Sequence, residues 1–124
     1  MLRCVFALCL SLFAALPALA QRVFEANALR GELVLQEGQN ALLNGRPAQL
    51  APGARIRNEQ NLLQMTGQIQ GKRFLVHYTI NGFGQIQNVW ILTADEANKR
   101  PWPATPEEAS KWVFDPTMQT WSKP

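Results

Sequence analysis

Residues 31–92 alternate apolar and polar side chains in short runs, and each run ends at turn-forming residues. Period two puts successive side chains on opposite faces of an extended strand, so this stretch can bury one side of a sheet but not one side of a helix. The clearest run is Arg73 to Ile80. Phe74, Val76, Tyr78 and Ile80 point one way, toward the expected core, and Leu75, His77 and Thr79 the other. Asn44-Gly45 lies between Ala41-Leu42-Leu43 and Arg46-Pro47-Ala48, and an Asn-Gly pair tolerates the positive φ angles of a tight hairpin turn. Asn81-Gly82-Phe83-Gly84 separates the clear run from 85–92, where Ile86, Val89 and Ile91 share a face only if a bulge interrupts the alternation. Residues 31–36, 53–58 and 62–66 supply further strands, with Pro52-Gly53 and 67–71 as turns. About six short strands without a long helix between them predict a mainly β fold. The expectation is a small antiparallel barrel or half-barrel, like the oligonucleotide-binding (OB) or SH3 barrels, because closure hides the strand edges.

The pattern changes after Leu92. Thr93 followed by Glu96, and Thr105-Pro106-Glu107-Glu108, each combine a capping hydroxyl with acids in the first turn, and the second adds proline at the first helical position. Two short helices should follow, kept apart by Pro101-Trp102-Pro103. Trp112-Val113-Phe114 and Thr120-Trp121-Ser122 then pair across Asp115-Pro116 as a last hairpin or tail. Three of the four tryptophans, Trp102, Trp112 and Trp121, fall in this region. Core packing is the first reading for them and a contact surface at Trp121 the second. A tail pinned by tryptophans does for a small domain what a cross-link does elsewhere.

Residues 1–20 have the three zones of a secretory signal peptide: Arg3, an apolar run from Cys4 to Leu16, and Pro17-Ala18-Leu19-Ala20 before Gln21. The run is short for a membrane span, so no transmembrane anchor is expected after cleavage. Cys4 and Cys9 leave with the signal, and the remaining chain must hold together by packing without a disulfide. It has room for one domain, read as a lead-in at 21–30, a barrel-like core at 31–92, and short helices with a tail packed on that core at 93–124.

Losing Arg3 lowers the formal charge from +3 to +2, too little to argue for nucleic acid from charge alone. The charges are unevenly spread. Arg46, Arg55, Arg57, Lys72 and Arg73 face only Glu59 across residues 46–73. Arg55 and Arg57 share a strand face while Ile56 points inward, giving a basic stripe. These five cations, with Phe83 at its turn and Trp121 in the tail, are the candidate binding residues. Against a contact role for Phe83 stands packing of its ring back onto the sheet.

No catalytic residue is assigned. Residues 21–124 carry one histidine, His77, and two serines, Ser110 and Ser122, without a nucleophile motif. His77 reads as a half-exposed strand residue on the face opposite the core. One imidazole and no cysteine do not make a zinc site. Asp95, Glu96, Glu107 and Glu108 are explained by their first helical turns, and the Asn81 turn joins two strands, so it is not a phosphate cradle. No cofactor is called for.

The segments Leu43-Asn44-Gly45-Arg46-Pro47-Ala48-Gln49-Leu50-Ala51-Pro52-Gly53-Ala54-Arg55-Ile56-Arg57 and Val89-Trp90-Ile91-Leu92-Thr93, with Pro101-Trp102-Pro103 and Thr105-Pro106-Glu107-Glu108-Ala109, resemble those of small secreted proteins of Gram-negative bacteria. The resemblance implies a periplasmic home and brings no activity and no catalytic residue. The expected function is a non-enzymatic periplasmic module that binds an envelope protein, an acidic polymer or a small ligand, export arguing against nucleic acid. Two other readings are an envelope-acting enzyme using carboxylates or His77, and a structural component of an envelope assembly. The sequence sets no oligomeric state.

Overall fold

The computed structural model describes residues 21–124; the expected signal peptide, 1–20, lies outside the described residues. Five strands, β1 (Leu29–Leu35), β2 (Asn40–Leu43), β3 (Arg46–Arg57), β4 (Arg73–Ile80) and β5 (Ile86–Ile91), close into a barrel in the order β1-β2-β3-β5-β4. β1 pairs antiparallel with both β2 and β4, and β3 pairs parallel with β5. This is an OB-type Greek-key barrel. The short helices α1 (Ala94–Ala97) and α2 (Pro106–Lys111) follow, then a separate two-stranded sheet of β6 (Val113–Asp115) and β7 (Thr120–Ser122).

The turns form where the sequence places them. Asn44 and Gly45 adopt φ of 54° and 81°, the double positive φ of a twisted two-residue hairpin. Asn44 also fastens this hairpin to β1: its N–H donates to the Glu32 carbonyl at 2.8 Å, and its Oδ1 accepts from the Glu32 N–H at 2.9 Å. The approach is close because Gly31 has no side chain; a Cβ there would lie 3.0 Å from Asn44 Oδ1 and 3.2 Å from Tyr78 Cε1. Gly31→Ala is therefore expected to destabilise the fold by about 1–3 kcal/mol, as overpacking of a filled site does. A urea titration shifted by less than the experimental error would contradict that.

In the β4–β5 turn, Asn81 Oδ1 accepts from the N–H groups of Phe83 and Gln85. The expected bulge in β5 appears as a register shift between Thr79, opposite Asn88, and Ile80, opposite Ile86. It keeps Ile86, Val89 and Ile91 all buried.

Two strands differ from expectation. Pro52-Gly53 does not end a strand; it bends one. Gly53 takes φ of 74°, and the register slips between Leu50, opposite Ile86, and Arg55, opposite Asn88. The bend lets β3 leave β2 and join β5, which closes the barrel. Residues 62–66 do not form a strand; Leu63 makes one isolated bridge to Arg57, and Thr66–Gln68 is a single 3-10 turn.

Leu29, Leu33, Leu35, Leu50, Ile56, Val76, Tyr78, Ile86, Val89 and Ile91 are among the residues that fill the barrel. A second core lies outside the wall. Phe24 and Ala28 from the lead-in, Leu92, Trp102 and Trp121 are buried there, with Trp90, Trp112 and Phe114 packed against them. The β6–β7 hairpin pairs Phe114 with Trp121 as expected. Both helix starts also hold: Thr93 and Glu96 form a reciprocal capping box, and the Thr105 side chain accepts from the Glu108 N–H with Pro106 at the first position.

The second core overrides the alternation of β4. Val76, His77, Tyr78 and Thr79 are all buried, because an aromatic layer covers the face that period two assigns to solvent. His77 is 1% exposed instead of half-exposed. Ile80, expected in the core, is 41% exposed: it is the last residue of β4, past the register shift, and lines an open groove.

Candidate functional site

The candidate site is built on β3 beyond its bend. Ile56 points into the barrel, so Arg55 and Arg57 point out, Arg55 exposed and Arg57 half-buried. Neither makes an ion pair among the described residues; the pairs present are Arg22–Glu96 and Arg73–Glu32. The antiparallel bridge places Leu63 opposite Arg57, and directly opposed residues share a face. Arg55, Arg57 and Leu63 therefore line one surface.

The loop that carries Leu63 is held by hydrogen bonds to its own backbone. Asn58 Oδ1 accepts from the N–H groups of Gln60 and Leu62, both at 3.0 Å, and the Asn58 N–H donates to the Leu62 carbonyl at 2.8 Å. The Gln64 N–H donates to the Ile56 carbonyl at 2.7 Å. These bonds fix the backbone while Leu62, Leu63 and Met65 remain 64%, 69% and 73% exposed. The three aliphatic side chains were missed in the sequence because 62–66 was read as a strand with one buried face. Their signal was the Leu-Leu pair directly after the polar run Asn58-Glu59-Gln60-Asn61, which breaks period two.

The other candidate cations are dispersed. Arg46 is exposed beside the Asn44-Gly45 turn, at the far end of β3 from Arg57. Arg73 lies opposite Val34 on β1 and 3.8 Å from Glu32 in an exposed pair; Lys72, also exposed, directly precedes β4. β5 separates β4 from β3, and β2 separates β1 from β3, so Lys72 and Arg73 do not extend the Arg55–Arg57 stripe. Phe83 is 91% exposed at its turn, against the expectation that its ring packs back. Trp121 is 6% exposed, inside the second core; it takes the core reading and leaves no ring face for a partner.

A polar network runs beneath the second core. Arg22 grips Glu96 with two guanidinium nitrogens, and also donates to the carbonyls of Asn58 at 2.9 Å and Ile91 at 2.8 Å. The Arg22 contact with Asn58 anchors the root of the exposed loop. Arg30 donates to the carbonyls of Glu96 at 2.8 Å, Ala97 at 3.3 Å and Lys99 at 2.9 Å at the end of α1, and through Nε to His77 Nε2 at 3.1 Å. Its guanidinium lies 5.4 Å from the Trp102 ring centre, and Trp102 stacks on His77 with centroids 4.0 Å apart. Burial, then the positive charges of Arg30 and Arg22, push the His77 pKa down to about 2. The ring is thus neutral at ordinary pH, with Nε2 accepting and the proton on Nδ1. Nδ1 and Trp121 Nε1 are buried and find no hydrogen-bond partner among the described residues. Burial opposes ionisation of Glu96, but hydrogen bonds from Arg22 and Thr93 and the Arg22 charge outweigh it and lower its pKa. Neither group offers a substrate an open face: His77 is enclosed by Phe24, Trp102 and Arg30, and both Glu96 oxygens are engaged. Arg22 and Arg30 act as fasteners, tying the lead-in and β1 to α1.

A groove of about 550 Å³ opens between the start of β1, the end of β4 and α2, lined by Ala26, Asn27, Leu29, Ile80, Pro106, Ala109 and Ser110. It is mostly apolar, and no titratable side chain lines it. No group of three or more His, Cys, Asp or Glu that could hold a metal occurs among the described residues, and no helix among them is long and apolar enough to cross a membrane. Comparison of the chain with known protein families, with curated proteins and with solved structures finds no match.

Proposed function

We propose that the protein is an exported, non-enzymatic binding module of the Gram-negative periplasm that takes an acidic envelope partner on the outer face of β3. The observation that carries this reading is the pair Arg55 and Arg57, held at strand spacing without an acid partner beside the exposed Leu63. Cations fixed on a sheet lose little freedom when they meet an anion, and rigid placement favours binding. The location agrees with the ligand face of OB-type barrels only in using strand three, since Arg55 and Arg57 lie beyond the bend, where β3 pairs with β5 and not with β2. That agreement is analogy at the level of fold, and the chemistry rests on the residues.

The Arg55→Glu/Arg57→Glu double variant tests it. Retention of residues 21–124 on an immobilised soluble polyanion such as polyglutamate is expected to be salt-sensitive and to fall at least about tenfold in the variant, since both attractions become repulsions. The circular dichroism spectrum should not change, because both side chains face outward. Equal retention by the two proteins would remove the β3 face from the function.

A further inference from the structure

Leu62, Leu63 and Met65 are exposed on a loop whose backbone has little freedom to hide them. Solvated aliphatic side chains grouped on one rigid loop mark a contact surface. The loop carries no aromatic side chain. Protein interfaces concentrate their affinity in aromatic and arginine anchors that fill pockets of matching shape. A bilayer surface demands no such match. It accepts aliphatic side chains at the boundary of headgroups and acyl chains, and an anionic one attracts arginines at the same depth.

The charges around the loop have that complementarity. Arg57 lies directly opposite Leu63, and Arg55 is on the same face. The only acid between Arg46 and Arg73 is Glu59. We infer that this loop, with Arg55 and Arg57, docks the module on an anionic phospholipid bilayer surface. This rests on the β3 face being the binding face and names its partner: the arginines meet lipid phosphates while Leu62, Leu63 and Met65 enter the interfacial layer. Three aliphatic side chains and two cations give reversible association, not permanent anchoring.

The test uses residues 21–124, which contain both cores, and vesicles of equal parts phosphatidylglycerol and phosphatidylcholine against vesicles of phosphatidylcholine alone. The wild-type protein is expected to sediment with the anionic vesicles, to be released by salt, and to ignore the zwitterionic ones. Each arginine near an anionic surface contributes on the order of fivefold in partitioning, so Arg55→Glu/Arg57→Glu should lose at least about tenfold. Leu62→Ser/Leu63→Ser/Met65→Ser should also lose vesicle binding but keep polyanion binding. The segment has no cysteine, so Met65→Cys bearing an environment-sensitive fluorophore reports insertion directly, and Val113→Cys, exposed on the second sheet, serves as control. A rise at position 65 alone supports docking. Polyanion binding without vesicle binding, vesicle binding indifferent to the three serines, or equal signals at 65 and 113 overturns it while leaving the basic face in place. Binding to neither overturns both readings. Failure to bind vesicles, together with loss of a protein cross-link in the serine variant, overturns lipid docking in favour of a protein partner.

Discussion

Trp102→Ala is expected to lower the stability of the fold by about 3–5 kcal/mol, the usual cost of emptying a buried tryptophan site. Trp102 is 7% exposed, its Nε1 donates to the Ala28 carbonyl at 2.9 Å, and it stacks on His77. Phe24, Phe114 and Trp121 meet its ring edge to face, with centroids 5.9, 5.8 and 6.1 Å away. One side chain therefore joins the lead-in, the barrel wall and the last hairpin. Removing it leaves a cavity where all three meet and an unpaired Ala28 carbonyl. The barrel core contains none of these residues, so amide exchange should quicken first in 21–28 and 112–122. Urea denaturation measures the total cost, and a loss below about 1 kcal/mol would mean that Trp102 is not the joint between these parts.

Acid should weaken the fold early, beginning near pH 6.5. His77 has a folded pKa of about 2, against about 6.5 in an unfolded chain. Above pH 6.5 the ring is neutral in both states and contributes no pH dependence. Below it the unfolded chain binds a proton that the folded chain refuses, so stability falls by about 1.4 kcal/mol per pH unit until the folded pKa is reached. Two units of acidification then remove about 3 kcal/mol from a fold whose whole margin is of the order of 5–15 kcal/mol. Glu96, with its lowered pKa, adds a loss of the same sign once the pH passes the ordinary carboxylate range. Urea titrations from pH 7.5 to 5, above the range in which Glu96 contributes, on the wild-type protein and on His77→Gln isolate the His77 contribution. The variant should be flatter by about 1.4 kcal/mol per unit, and parallel curves would mean that protonation of His77 is not what weakens the fold.

What the sequence made legible was local. Asn44-Gly45, the Thr93 and Glu96 box, Thr105-Pro106 and the Trp112 to Ser122 hairpin each carry their cause within a few residues, and each forms. The barrel followed from adding up such signals. Layering was not legible, because period two says which side chains share a face and not what lies against it. His77 was assigned to solvent, yet Phe24 and Trp102, distant in sequence, meet on it. Pro52-Gly53 looked like a chain reversal because nothing local distinguishes a turn from a bend that passes one strand between two neighbours. At the candidate site, the Arg55–Arg57 stripe was readable from spacing, and the placement of Lys72 and Arg73 on another wall was not. Strand order decides that, and strand order is a property of the whole chain.

The Phe24 N–H donates to Gln119 Oε1 at 2.8 Å across a separation of 95 residues, and Trp121 completes the aromatic layer in which Phe24 is buried. The earliest and latest parts of the described chain thus belong to one cooperative unit. Contacts so far apart in sequence slow folding, since a long loop must close before they form. A nascent chain emerging from the ribosome can assemble the barrel strands, but the Phe24 N–H stays unpaired until Gln119 has left the exit tunnel. Completion of the second core therefore waits for the last hairpin, and until then the partly folded chain leaves the lead-in open to a chaperone.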